Sequence, residues 1–83
     1  MKFIAQIDVM PQKEILDPQG KAVKLGLNNL GMVTIDNVRI GRHISLEVEA
    51  NTKEAAESQI DTACKKLLAN LIMEEYSFTL SEL

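Results

Sequence analysis

Two residue types that often carry enzyme chemistry occur once each in this chain, as Cys64 and His43. Covalent catalysis needs a nucleophile, a base within reach and a group that orients the base. Cys64 falls within an apolar helical pattern, which favours a buried structural thiol. His43 lies beside a predicted turn and has no second histidine to share a metal with, so an exposed or interface position is favoured. We therefore predict no catalytic residue, no bound cofactor and no metal site in this chain.

The carboxylates give no stronger sign of an active site. Glu47 and Glu49 share the polar face of one predicted strand, and Glu74–Glu75 open another. General acid–base catalysis would require one of them to be desolvated, whereas an alternating polar face predicts solvated side chains. The pattern of a phosphate-binding loop is absent. The stretch "DPQGK" places backbone N–H groups at a predicted helix start, which is only a generic anion-binding arrangement.

Composition indicates one ordinary globular domain over residues 1–83, with 46% hydrophobic and 25% charged residues. The net charge is −3, and the basic residues form no cluster beyond Lys65–Lys66, so binding to nucleic acid or to an anionic membrane is disfavoured. The N-terminal residues lack a signal-peptide pattern, and no apolar run approaches the roughly 20 residues of a membrane-spanning helix. A single cysteine fits a reducing compartment. We expect a cytoplasmic protein.

Hydrophobic periodicity predicts six elements in the order strand, helix, strand, strand, helix, strand. Alternation predicts a first strand at residues 2–9, two strands within residues 33–50 joined by a tight turn near Gly41–Arg42, and a last strand at residues 72–80. The second helix is predicted to begin at an Asn51 cap and to end near Asn70 in the left-handed conformation. Its inward stripe comprises Ala56, Ile60, Ala63, Cys64, Leu67 and Leu71.

The first helix is predicted over residues 18–30, with Asp17 as N-cap, Pro18 as first helical residue and Gly31 just past its end. Val23, Leu27 and Leu30 form its predicted inward stripe. Gly20 falls on the same side, so its missing side chain would let the start of the helix lie close against the sheet. Leu25 falls on the opposite side, either exposed to solvent or available to a partner.

The element order predicts an α+β fold, a two-layer sandwich of β-α-β-β-α-β topology. The right-handed crossover rule places both helices on one face of a mainly antiparallel four-stranded sheet. The other face is predicted to be mixed in character and either solvated or covered by another copy. It is predicted to carry Ile4, Arg39, His43, Ser45 and Glu47.

Four stretches carry a resemblance to a known family: "LDPQGKAV" (16–23), "NNLG" (28–31), "NVRIGRHISLEVE" (37–49) and "ACKKLLANLIMEEYSF" (63–78). In order and spacing they resemble PurS, the small subunit of phosphoribosylformylglycinamidine synthase, over nearly the whole chain. Two departures are Leu71, where members often have proline, and the loop "MPQKEI", which varies in the family.

The resemblance implies a role within an ATP- and glutamine-dependent ligase of purine biosynthesis. It implies a large PurL-type synthetase subunit that uses ATP and magnesium, and a PurQ-type glutaminase subunit that releases ammonia. PurS would bridge the two, help ammonia pass between them, and form a homodimer or a tetramer. Whether ammonia passes through this subunit, and whether strands are exchanged between copies, stays open.

As a hypothesis, the start of the first helix is a docking corner where a partner backbone approaches closely; capping and close packing are the alternative explanation for the same residues. The candidate interface residues are Asp17, Pro18, Gln19, Gly20, Leu25, Arg39 and His43.

Two other functions share this element order. One is a dimeric regulatory domain that senses a small ligand such as an amino acid; such domains usually have a glycine in the loop after the first strand, which "MPQKEILDP" lacks. The other is an RNA-binding sheet, which needs aromatic side chains on its open face. The chain has only two Phe and one Tyr, largely predicted inward.

Overall fold

The computed structural model describes residues 1–83 and shows an α+β fold with three antiparallel strands and two α-helices. The elements are β1 (Lys2–Pro11), α1 (Pro18–Asn29), β2 (Arg42–Glu49), α2 (Lys53–Ala63), a π-helical turn (Cys64–Leu68) and β3 (Glu74–Glu82). The strand order is β2-β1-β3. The predicted strands at both ends of the chain and the strand after Gly41 are confirmed.

Strand β1 lies at the centre of the sheet because its alternate side chains are apolar and meet apolar partners on both sides. Ala5 pairs with Leu46 on β2 and with Leu80 on β3. One face therefore carries continuous apolar rows. The members contributed by β1 are fully or almost fully buried: Phe3, Ala5, Ile7 and Val9.

Helix α2 covers this apolar face with Ala56, Ile60 and, at the start of the π turn, Cys64, all of which are buried. The first half of the predicted α2 stripe is thus confirmed. Its cap differs by one residue, since Thr52 rather than Asn51 accepts the capping hydrogen bond, from the Ala55 N–H at 3.1 Å.

The predicted end of α2 is wrong because the helix widens into a π turn. The Ala69 N–H donates to the Cys64 carbonyl, five residues back, at 3.0 Å. A π turn holds one residue more than an α turn, so the following side chains are rotated. Leu67 is 82% exposed and Leu71 is also exposed, whereas Leu68 and Ala69 reach the core. Asn70 does not adopt the left-handed conformation; the one non-glycine residue with positive φ is Asn37.

The predicted fourth strand within residues 33–40, with its tight turn to β2, is not formed in the chain. The segment returns alongside α1 instead: Lys24 pairs with Asp36 at 2.7 Å, and the backbone of Val38 lies against Gly20. Asn37, with φ 55°, bends the chain between these two contacts. The outer edge of β2, with which the predicted hairpin would have paired this segment, has no partner strand in the chain.

The prediction that both helices cover one face is wrong for α1, which makes at most isolated contacts with the sheet. Its boundaries are confirmed to within a residue, with Asp17 as N-cap and Gly31 in the left-handed region at φ 88°. Val23 and Leu30 of its predicted inward stripe are exposed, Leu30 by 73%. We call α1 with its returning segment, residues 18–40, the arm.

The second sheet face is open and polar. Ile4, His43, Ser45 and Glu47 lie on it as predicted, opposite the rows that face α2. Arg39 does not, because it precedes β2 and belongs to no strand. None of the helices is both long enough and apolar enough to span a bilayer.

Candidate functional site

Asp17 closes the base of the arm with its two carboxylate oxygens. Oδ1 accepts a hydrogen bond from the Gly20 N–H at 3.1 Å, the usual N-cap contact, and Oδ2 accepts one from the Ile40 N–H at 2.9 Å. The Ile40 bond first, and then the Gly20 bond, hold the pKa of this carboxyl below its ordinary value. One ionised side chain therefore connects the beginning of α1 to the end of the returning segment.

No side chain fits at residue 20, because the returning segment of the arm packs against the backbone of Gly20. A Cβ atom built at this residue would lie 2.1 Å from the Val38 carbonyl oxygen, far inside contact distance. Gly20 is buried, but against residue 38 rather than against the sheet as predicted. An intramolecular backbone contact thus accounts for this glycine, and a partner's approach to Gly20 stays a prediction.

Arg39 lies at the same corner, where it joins the arm to the sheet. Its Nη2 donates to the Pro11 carbonyl and lies 3.4 Å from the Glu75 carboxylate, while its Nε is buried without a hydrogen-bond partner. The structure thereby brings Arg39 together with Asp17, Pro18, Gln19 and Gly20. Gly41 packs equally tightly at this junction, since a Cβ there would lie 2.3 Å from the Val9 carbonyl oxygen.

The other two candidate residues lie apart from this corner. Leu25 is exposed on α1, more than one helical turn beyond Gly20. His43 lies on the open sheet face, where Nδ1 is 2.7 Å from an Asp8 carboxylate oxygen and Nε2 is 2.6 Å from the Gln6 side-chain oxygen. Its exposed position on that face agrees with the sequence prediction.

Two hollows flank the loop that precedes α1, and Ile15, Leu16 and Asp17 form the wall between them. The larger is an open groove of about 770 Å³ between this loop and residues 37–39. The smaller, about 360 Å³, lies toward Pro18, Ile40, Met73 and Glu74. Both are surface concavities bounded by exposed or half-buried side chains, an arrangement suited to contact with another chain.

The arrangement offers no nucleophile–base pair. Cys64 is buried, and burial, with a smaller effect from Asp61, raises the pKa of its thiol. No three His, Cys, Asp or Glu side chains lie together as metal ligands would.

Sequence reasoning missed a second cluster, which connects β2, β3 and the π turn. Arg42 makes a two-pronged ion pair with Glu74, at 2.6 and 3.1 Å, and donates to the Leu68 carbonyl. Glu74 also accepts a hydrogen bond from the Asn70 N–H at 2.8 Å. The pKa of the Glu74 carboxyl is lowered by Arg42 and then by the Asn70 N–H. The opposite charges at the starts of two predicted strands were the available signal.

A side-chain hydrogen bond at the edge of the core joins α2 to β3. The Tyr76 hydroxyl donates to Asp61, which also pairs with Lys65 at 2.9 Å. The Tyr76 bond lowers the pKa of the Asp61 carboxyl and raises the pKa of Tyr76 itself to about 12.

Comparison with known proteins assigns this chain to a family. The family model described as PurS, phosphoribosylformylglycinamidine (FGAM) synthase, matches residues 4–82. The chain belongs to the PurS family. A PurS subunit from Synechocystis is 42% identical over 98% of this chain and 81% of its own length, and one from Thermotoga maritima is 37% identical over 89% and 90%.

Solved PurS structures share the fold over almost the whole chain. The crystal structure of the T. maritima FGAM synthase PurS subunit superposes with a TM-score of 0.88 at 33% identity, covering 98% of this chain and 93% of that one. A structure of PurLQS from the same organism contains a chain that also gives a TM-score of 0.88, at 33% identity, covering 98% and 99%. The resemblance to the PurS family is confirmed.

Proposed function

We propose that this PurS-family chain is the small, non-catalytic subunit of FGAM synthase and bridges the glutaminase and synthetase subunits so that ammonia passes from one to the other. The observation that carries the proposal is the match to the PurS family along residues 4–82, together with the likeness to a chain of PurLQS. The absence of a nucleophile–base pair around Cys64 and His43 is consistent with this role. In this proposal ATP and magnesium act on the PurL-type subunit, the PurQ-type subunit releases ammonia, and this chain binds no cofactor.

The test is a comparison of glutamine-dependent and ammonia-dependent synthase activity, with the PurL-type synthetase and PurQ-type glutaminase subunits mixed with and without this chain. We expect glutamine to support turnover only in its presence, and added ammonia to support turnover in its absence. A chain that changes neither rate would overturn the bridging role.

We further propose that the chain works as a homo-oligomer, a dimer or a tetramer. A compact chain of this mass would expose about 4,900 Å² and have a radius of gyration of about 12 Å. The chain exposes 5894 Å² and has a radius of gyration of 16.4 Å, because the arm extends from the sheet. A second copy would cover the apolar arm residues and give residues 33–40 a strand partner, completing a four-stranded arrangement between chains.

A cytoplasmic location is also proposed. Cys64 is a buried free thiol, and free thiols are typical of reducing compartments. Cell fractionation followed by immunodetection would test the location directly, and recovery of the chain outside the cytoplasmic fraction would contradict it.

A further inference from the structure

The larger groove beside the arm has the dimensions of a binding site. It measures about 770 Å³ and lies between the loop before α1 and residues 37–39, with Lys21 of α1 on its edge. Ligand pockets commonly measure about 300–1,000 Å³. Its lining side chains are mostly exposed and the groove opens to solvent, so it suits a segment of another protein better than an enclosed small molecule.

The groove carries three cations and two carboxylates, in a protein that is acidic overall. Lys13, Lys21 and Arg39 line it, and neither lysine forms an ion pair within the chain. Two carboxylates also line it: Asp17, which is ionised and accepts hydrogen bonds from the backbone N–H groups of Gly20 and Ile40, and Glu14, which forms no ion pair within the chain. The net charge of the chain is −3, whereas the groove lining has an excess of one cation, three cations minus two carboxylates.

The position of Lys21 is unfavourable for the helix that carries it. Lys21 lies in the first turn of α1, where the positive end of the helix dipole favours acidic residues, and that turn contains none. Real proteins depart from such local charge preferences mainly at functional sites. A lysine in the first turn that has no ion-pair partner in its own chain is therefore a candidate for a functional contact. The ionised N-cap Asp17 already places one carboxylate at this end of α1, and an external carboxylate would give Lys21 the ion-pair partner that it lacks within the chain.

Building on the proposed function, we propose that the groove receives an acidic segment of a partner subunit of the synthase, with its carboxylates paired to Lys13 and Lys21. Arg39, held against Pro11 and Glu75, fixes the sheet side of the groove. Exposed cations at the rim of an interface steer association and fix its register. The groove would thereby orient this subunit between its two partners.

The experiment measures binding of the full chain to the PurL-type and PurQ-type subunits by sedimentation velocity at about 0.1 M and about 1 M salt, where the Debye length is about 10 Å and about 3 Å. The test variant is Lys13→Glu/Lys21→Glu. The matched control is Lys53→Glu/Lys66→Glu, which makes the same charge change at exposed α2 and π-turn positions. Circular dichroism and thermal melting establish that each variant is folded, and Lys13→Gln/Lys21→Gln replaces the test variant if it is not.

We expect the groove variant to bind about tenfold more weakly or worse at the lower salt, and to lose most of its salt dependence, since interface charge pairs act in this way. The control is expected to bind within about twofold of the wild type, as for charges outside a contact. Equal losses in both variants would overturn the proposal, because the effect would then be one of net charge. Dissociation of the chain's own oligomer by the groove variant, with subunit binding intact, would assign the groove to a second copy and also overturn it.

Two further outcomes separate the groove from its alternatives. Stabilisation of the wild type, but not of the variant, by inorganic phosphate, together with unchanged assembly of the variant, would make the groove a free-anion site and overturn the docking proposal. A wild-type chain that binds neither subunit would overturn the proposed function itself and the docking with it. A wild-type chain that binds, alongside a variant that binds equally well, would overturn the docking alone.

Discussion

Gly20 and Gly26 lie in the same helix under opposite steric constraints. A side chain at Gly20 would meet the Val38 carbonyl, whereas nothing lies within 4 Å of a Cβ at Gly26. The sequence predicted that Gly20 lies on a buried side, because the helical periodicity places it on the same side as the apolar residues of α1. It gave no sign of the neighbour, since Val38 is brought there by the Asp17–Ile40 hydrogen bond and the bend at Asn37.

Replacing the two glycines with alanine should change stability in opposite directions. We expect Gly20→Ala to lower the free energy of unfolding by about 1–3 kcal/mol, as overpacking does. Gly26→Ala should raise it by about 0.4–1 kcal/mol through reduced freedom of the unfolded chain. Urea denaturation followed by circular dichroism measures both. If the two variants shift the midpoint in the same direction, the close contact with Val38 is refuted.

Tyr76 is the chain's one tyrosine and there is no tryptophan, so its ionisation can be followed by ultraviolet absorbance. The hydrogen bond to Asp61 raises the pKa of Tyr76 from 10.0 to about 12. Because the folded pKa exceeds the unfolded one, the stability contributed by this bond is complete below pH 10 and is lost as the pH rises toward about 12.

Asp61→Asn should return the tyrosinate midpoint toward 10, the ordinary value, because the carboxylate charge is removed. Lys65→Gln is the matched control, since it removes the other partner of Asp61 but leaves the tyrosine bond. Far-ultraviolet circular dichroism during the titration separates ionisation from unfolding. An unaltered midpoint in Asp61→Asn would show that the hydrogen bond is not the cause.

At the scale of elements, local signals predicted what local interactions determine. Alternation located β1, β2 and β3, and the Asp17–Pro18 pair located the start of α1. The failures arose where a tertiary contact decides the outcome. In the sequence, the spacing of Leu67 and Leu71 continues the apolar stripe of α2. In the structure a π turn, stabilised by a hydrogen bond from the sequence-distant Arg42, rotates these side chains away from the core.

Arg42→Gln should loosen the junction between β2, β3 and the π turn. The substitution removes the ion pair with Glu74 and the bond to the Leu68 carbonyl, so we expect the free energy of unfolding to fall by about 1 kcal/mol. Amide hydrogen exchange at Asn70 should accelerate, because its N–H is bonded to Glu74.

Glu47→Gln provides the control for Arg42→Gln. The Lys2–Glu47 pair is 3.5 Å long and more than half exposed on both sides, so its loss should change stability by less than about 0.5 kcal/mol. Equal destabilisation by the two substitutions would indicate that the Arg42 cluster is an ordinary surface ion pair.

The whole molecule is long and thin, 52 × 26 × 14 Å, with only nine buried residues. Single-chain reasoning could not predict this shape, because the stripe of Val23, Leu27 and Leu30 is a normal core-facing pattern and nothing in the sequence says which chain supplies the core. The same apolar residues that were assigned to a sandwich of one chain fit an interface between chains.

The proposed oligomer makes the exposed arm testable. Leu30→Asp/Val33→Asp should reduce the sedimenting mass toward the 9.2 kDa of a single chain, because both side chains are 73% exposed in the isolated copy and would become buried. Leu83→Asp is the control: Leu83 is also exposed, but it follows the last residue of β3 and lies outside the arm. An arm variant that keeps the wild-type mass would exclude this part of the arm from the interface.

Because the arm makes few contacts with the sheet, a chain that has not yet assembled with its partners should be sensitive to proteases. A helix of 12 residues such as α1 is marginal in water without tertiary packing, and α1 receives little from the sheet. Proteases cleave at segments that unfold locally, so Lys21 and Lys24 of a lone copy should be cut by trypsin before Lys53 or Lys65 of the packed helix. Mixing with its partner subunits should suppress the early cuts, and a cell would then retain this chain only in proportion to the partners available to receive it.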